Sequence, residues 1–146
     1  MQPTRILPDL QTSLLCQDVR QEVNGNFIII GVIGFINVPQ LPVVGSFLVF
    51  NRWTAGIGQF TEHVRLIAPD QTTVLKESRV KFALQDPVGN ATNVTMFSQT
   101  KIEQQGPHYV EVLVDDVLKL RYPVPVRIVQ PPQGQSQSQR PPTETK

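Results

Sequence analysis

The sequence predicts an all-β fold, and three observations carry that prediction. The chain holds 19 Val, 10 Ile and 11 Thr against only 4 Ala. β-Branched side chains are stiff at χ1 and fit a pleated surface, whereas alanine is the best helix former. Apolar runs of about seven to eleven residues also alternate with turn signals from residue 12 onward. No apolar pattern with a 3.6-residue period persists beyond two turns, and no internal repeat is present.

The elements follow in order. Residues 12–23, "TSLLCQDVRQEV", meet "NFIIIGVIGFI" across Asn24-Gly25. Asn-Gly between apolar runs predicts a hairpin with a type I′ turn, since both residues tolerate positive φ. The stretch "NVPQLP" reads as a connection, because neither proline has a donor for a ladder. "VVGSFLVFNRW" and "QFTEHVRLIA" flank a glycine turn, and "PDQT" is a turn with Pro at its second position. In "TVLKESRVKFAL", Val80, Phe82 and Leu84 share one face and Arg79 and Lys81 the other. After "DPVGN" come "ATNVTMFSQTKIE" and the pair "HYVEVLVDD" and "VLKLRYPVPVRIV", joined at a turn in "VDDV". His108, Val110, Val112 and Val114 fall on one side of the first of that pair. The tail from Gln130 has nothing to bury and reads as disordered. The expected division is therefore a domain over residues 8–129 and a Gln/Pro/Ser-rich tail over 130–146.

About eight short strands at this spacing predict a β-sandwich of immunoglobulin-like type. Tyr109, following Gly106, stands where such a domain carries its tyrosine corner. Pro123 and Pro125 place the last strand at an edge. Alternation in "SFLVFNRW" sets Phe47, Val49 and Trp53 on one face, with Asn51 between them, and Leu48, Phe50 and Arg52 on the other. Trp53, the only tryptophan, thus continues an apolar row and reads as a core anchor. The competing reading makes it a ligand platform, with Arg52 and Arg65 flanking an anionic or carbohydrate site.

Function classes are narrowed next. The net charge is +1, and outside the tail 11 Lys and Arg balance 11 Asp and Glu, which argues against a nucleic-acid partner. Cys16 is the sole cysteine, so no internal disulfide forms, and no signal peptide is legible at the N-terminus. The longest apolar run, 27–36, is about half of what crosses a bilayer. These features predict a cytoplasmic protein with no membrane partner. No metal-ligand spacing or phosphate cradle appears, so no cofactor is expected. Candidate catalytic groups are only Cys16, His63 and His108. His63 reads as an outward polar residue and His108 as a strand-end histidine among valines, so no enzyme is expected. One stretch stands out. In "NFIIIGVIGFI" both faces are apolar: Ile28, Ile30 and Val32 on one, Phe27, Ile29 and Ile33 on the other. A sandwich strand normally shows one face to water, so the second face needs a cover. The face of Phe27, Ile29 and Ile33 is the candidate interaction surface, for a second copy or a protein partner. The alternative cover is "NVPQLP" or the N-terminal lead-in.

The segments "LLCQDVRQEVNGNFIIIGV", "LPVVGSFLVFNRWTAGIG" and "GPHYVEVLVDD" together resemble a family of short uncharacterised bacterial proteins, over roughly residues 8 to 127. That resemblance implies a cytoplasmic β-sandwich of unknown function and supplies no catalytic residue.

Overall fold

The computed structural model describes residues 4–130. Nine strands form: β1 Asp9–Gln21, β2 Phe27–Val32, β3 Ile36–Val38, β4 Val43–Thr54, β5 Gly58–Ile67, β6 Val74–Leu84, β7 Asn90–Ile102, β8 Gly106–Val114 and β9 Val117–Ile128. They make two sheets, ordered β2-β1-β4-β7 and β3-β9-β8-β5-β6. Every neighbouring pair is antiparallel except β3 with β9. Of the expected tail over 130–146, residues 131–146 lie outside the described residues.

Two sheets with one apolar face each must bury those faces against each other. The first sheet contributes Leu15, Phe47, Val49, Trp53 and Phe97; the second contributes Phe60, Val64, Leu66, Val110, Val112, Val114 and Val124. These residues recur at every second position of their strands, as the pleat requires. At about 0.8 kcal/mol per buried methylene, this valine-rich layer supplies the main driving force for folding.

Five expectations change. The run 27–36 does not stay one strand: β2 ends at Val32, Ile33 and Ile36 turn into the core, and Ile36–Val38 pairs with Val126–Ile128. "NVPQLP" therefore begins inside a strand, which ends where Pro39 removes a donor. β9 is not an edge strand: it lies between β3 and β8, and Pro123 and Pro125 are accommodated just before its parallel pairing with β3 begins. The first hairpin is not a two-residue type I′ turn. Only Gly25 has positive φ, at 93°, and Gly25 N–H donates to the Glu22 carbonyl at 2.9 Å, the geometry of a type I turn followed by a left-handed glycine. The type I′ pair is Asp115-Asp116, with φ of 47° and 66°, between β8 and β9. Tyr109 is no tyrosine corner. It faces outward beneath Arg121, 4.2 Å from its guanidinium, and its hydroxyl has no partner among the described residues.

The β1–β2 ribbon departs most from a flat sandwich. Register places Phe27 beside Gln21 and Phe50 beside Leu14. A straight strand would hold those two levels on the order of 20 Å apart. Yet the rings of Phe27 and Phe50 lie 5.6 Å apart, edge to face. Phe50 is on the side of β4 away from the core. β1 therefore bends sharply beyond Cys16 and carries the ribbon back across the outside of the first sheet.

Candidate functional site

The inward row of β5 reads Phe60, Glu62, Val64, Leu66, so the pleat drives one carboxylate into the core. Glu62 is 0% exposed. Its Oε2 accepts from Trp53 Nε1 at 2.6 Å, Asn51 Nδ2 at 3.1 Å and Asn93 Nδ2 at 3.3 Å. β4 supplies the first two donors and β7 the third, which ties the two sheets together through one oxygen. Burial pushes the Glu62 carboxyl above the usual 4.5, against the pull of those three donors. Glu62 Oε1, Asn51 Oδ1 and Thr95 Oγ1 have no partner among the described residues. Such a cluster can hold a proton and fix the register of the sheets. Glu62, Asn51 and Trp53 are each 0% exposed, so the carboxylate itself offers no open surface to a substrate.

This arrangement settles where Trp53 stands. Its side chain is 0% exposed and stacks on Phe82 at 5.6 Å, so it anchors the core and offers no platform. The three residues of the candidate ligand site do not converge. Arg52 lies outside the first sheet, its Nε donating to Thr92 Oγ1 at 2.9 Å and its guanidinium 5.9 Å from the rings of both Phe27 and Phe50. Arg65 lies outside the second sheet and donates to Glu111 at 2.5 Å. The register there aligns Arg121, Glu111, Arg65 and Glu77 across four strands, a ladder of alternating charge. Neighbouring strands, not sequence neighbours, neutralise Arg65, which is why spacing along the chain misplaced it.

The candidate interaction face is likewise reassigned. Phe27 and Ile29 are half-buried by the chain's own first sheet, and Ile33 packs against the core. The cover is neither "NVPQLP" nor the lead-in but the sheet across which the ribbon folds. The opposite row is open: Ile28 is 44% exposed, Ile30 40% and Val32 58%.

The three candidate catalytic groups stand apart. Cys16 Sγ contacts the Leu48 carbonyl at 3.6 Å, and burial pushes the thiol above its usual 9.0, which disfavours the reactive thiolate. His63 faces outward as expected but is buried, with Nε2 2.7 Å from Glu77. His108 is buried at the start of β8, with Nδ1 3.1 Å from the Gly106 carbonyl. A cleft of about 490 Å3 borders Thr61, Lys81 and Asp115. Asp115 there is already engaged by the Thr61 amide and by Arg5. Glu62 escaped the sequence reading, although alternation in "QFTEHVRL" was the signal that could have found it.

Fold and side chains together define a two-sheet all-β domain with a sealed polar cluster and an apolar ribbon on its outside. The chain belongs to a family of unknown function, DUF6941, which matches residues 11–127. Comparison with curated proteins gives no match. Among solved structures the chain is similar to a β-glucosidase from Listeria innocua in complex with glucose. That likeness has 14% identity and a TM-score of 0.45, over 82% of this chain and 16% of the other. The same enzyme in complex with gluconolactone gives 15% identity and a TM-score of 0.44, over 79% and 16%. The chain thus spans about a sixth of the length of those proteins. No helix among the described residues is long and apolar enough to cross a membrane.

Proposed function

We propose that this chain is a non-enzymatic interaction or assembly module that docks through the open face of its β1–β2 ribbon. The observation that carries the reading is the row of Ile28, Ile30 and Val32, three β-branched side chains exposed side by side on an edge strand. Completing the burial of such side chains contributes roughly 1.5–3 kcal/mol each, and about half of that remains to be gained here. Clustered apolar exposure on a stable domain marks contact surfaces. The edge of β2 also carries unpaired backbone groups that an incoming strand can bond.

Sedimentation velocity across the micromolar range, on the wild type and on Ile30→Lys, tests the proposal. The expected result is a species larger than one chain, or a stoichiometric complex with a partner, that Ile30→Lys reduces to a folded monomer. A monomeric wild type with no recovered partner, or an assembly that Ile30→Lys leaves intact, overturns it.

A further inference from the structure

The open face of the β1–β2 ribbon holds more than its apolar row. Residues directly opposite one another on two strands share one face of the sheet. The register sets Arg20 beside Ile28 and Asp18 beside Ile30, so this face carries two parallel rows. One row is apolar, and the other holds one charge of each sign. Arg20 Nε donates to Asp18 Oδ2 at 3.0 Å, and Asp18 Oδ1 accepts from the Val19 amide at 2.9 Å. The terminal nitrogens of Arg20 have no partner among the described residues, and its side chain is 69% exposed. A guanidinium carries five donors and binds a carboxylate most strongly through two of them. The ribbon therefore shows an unfilled cationic end and, one pleat repeat away, a carboxylate that is 43% exposed.

Such a face complements itself under one operation. A second copy, turned about a two-fold axis that crosses the strands at the level of Val19 and Ile29, brings its Ile30 onto Ile28 and its Asp18 onto Arg20. Each contact then occurs twice, as an isologous interface requires. Stacked sheets lie about 10 Å apart, a gap that an arginine and an aspartate bridge from opposite sides. Both pairs flank the axis, where the twist of the strands displaces them least. The other two-fold arrangements are worse. An axis along the strands would press Arg20 and Asp18 onto isoleucines and desolvate them unpaired. Pairing β2 edge to edge would supply hydrogen bonds but leave Ile28 and Ile30 in water. The two charges sum to zero, so the face offers no excess of either sign to a basic or acidic partner.

We propose that the partner of this ribbon is a second copy of the chain, docked face to face in this antiparallel two-fold register. The proposal rests on the reading that the open face docks, and it names the occupant. Ile28 and Ile30 of the two copies close over one another, with Val32 at the rim. Beside them, the two Arg20–Asp18 pairs join into a ring of four alternating charges. The face measures on the order of 20 Å by 10 Å, well below the ~800 Å2 per partner of a stable complex. The dimer is accordingly weak and forms toward the top of the micromolar range.

Sedimentation equilibrium from micromolar to millimolar chain concentration tests this, with circular dichroism to check the fold of each variant. The wild type is expected to dimerise reversibly and Ile30→Lys to stay monomeric. Asp18→Arg and Arg20→Asp, both on the open face, each set like charges against one another twice and weaken the dimer at least about tenfold. An equimolar mixture of those two variants, or the double variant Asp18→Arg/Arg20→Asp, recovers association close to that of the wild type. A monomeric wild type whose Ile28–Val32 face binds a different protein overturns the second copy and leaves the docking reading standing. A dimer that Ile30→Lys breaks but the charge variants leave unchanged overturns the register proposed here, again without touching that reading. A dimer that Ile30→Lys leaves intact overturns both.

Discussion

Replacing Glu62 by glutamine, a change of one atom, is expected to stabilise this protein at neutral and alkaline pH. Oε2 already accepts three bonds, from Trp53, Asn51 and Asn93. The unmet groups beside it, Glu62 Oε1 and Asn51 Oδ1, are both acceptors, and an ionised carboxylate has no proton to offer either. A glutamine keeps one oxygen for the three donors and brings an N–H to the Asn51 amide oxygen. Satisfying one buried polar atom contributes about 1–3 kcal/mol, which sets the expected gain. The sign with pH follows from linkage. The unfolded chain releases this proton near 4.5, whereas the native carboxyl, raised by burial, holds it to higher pH. Over that window the native state binds more protons, so wild-type stability falls as pH rises above 4.5 and levels off once the native carboxyl ionises. In acid, wild type and Glu62→Gln should agree, because both then carry a donor. Urea unfolding across the pH range, with m unchanged, measures the difference directly. A Glu62→Gln protein that is less stable at every pH, or a gap that ignores pH, refutes the reasoning and makes Glu62 a resident carboxylate.

Other expectations are independent of that one. Trp53→Ala should lose about 3–5 kcal/mol in denaturant unfolding, and wild-type tryptophan emission should be blue-shifted and resistant to aqueous quenchers. Phe27→Ala should lower stability by roughly 1–2 kcal/mol, since its half-buried ring sits on Phe50, whereas Ile30→Lys should change it by less than about 0.5 kcal/mol. Equal losses at those two positions would mean that both faces of the ribbon are covered. Glu111→Gln should destabilise by about 1.5–3 kcal/mol, because it strips Arg65 of its charge-assisted partner in the outer ladder, and calorimetry against the wild type measures that loss.

Much of the fold was legible because the β signal is local. The row of Phe47, Val49, Asn51 and Trp53 follows from alternation alone, and so do the inward valines of β8. What was missed depends on distant partners. β3 is three residues long, and its parallel partner begins ninety residues later, at Val126, so nothing near Ile36 announces it. The bend in β1 follows Cys16 without a glycine or proline in that strand. For that reason the apolar run beyond it looked like one strand with two faces rather than a ribbon, a core plug at Ile33 and a short third strand. Arg52 and Arg65 looked like neighbours because both lie near Trp53 in sequence or expected sheet end, but the two sheets face their outer surfaces in opposite directions.

The folded-back ribbon also divides the molecule into parts that need not open together. It is bonded to the rest along β1 and rests on the first sheet through half-buried side chains, whereas the two sheets share a continuous sealed interior. Segments held by few buried contacts open at lower free energy than the global transition. Cys16, fully buried at the root of the ribbon, supplies a clock for that opening. A thiol reagent reaches its sulfur when the ribbon lifts, without the sandwich unfolding. The labelling rate in native buffer should therefore exceed what global stability allows, and occupation of the Ile28–Val32 face should slow it.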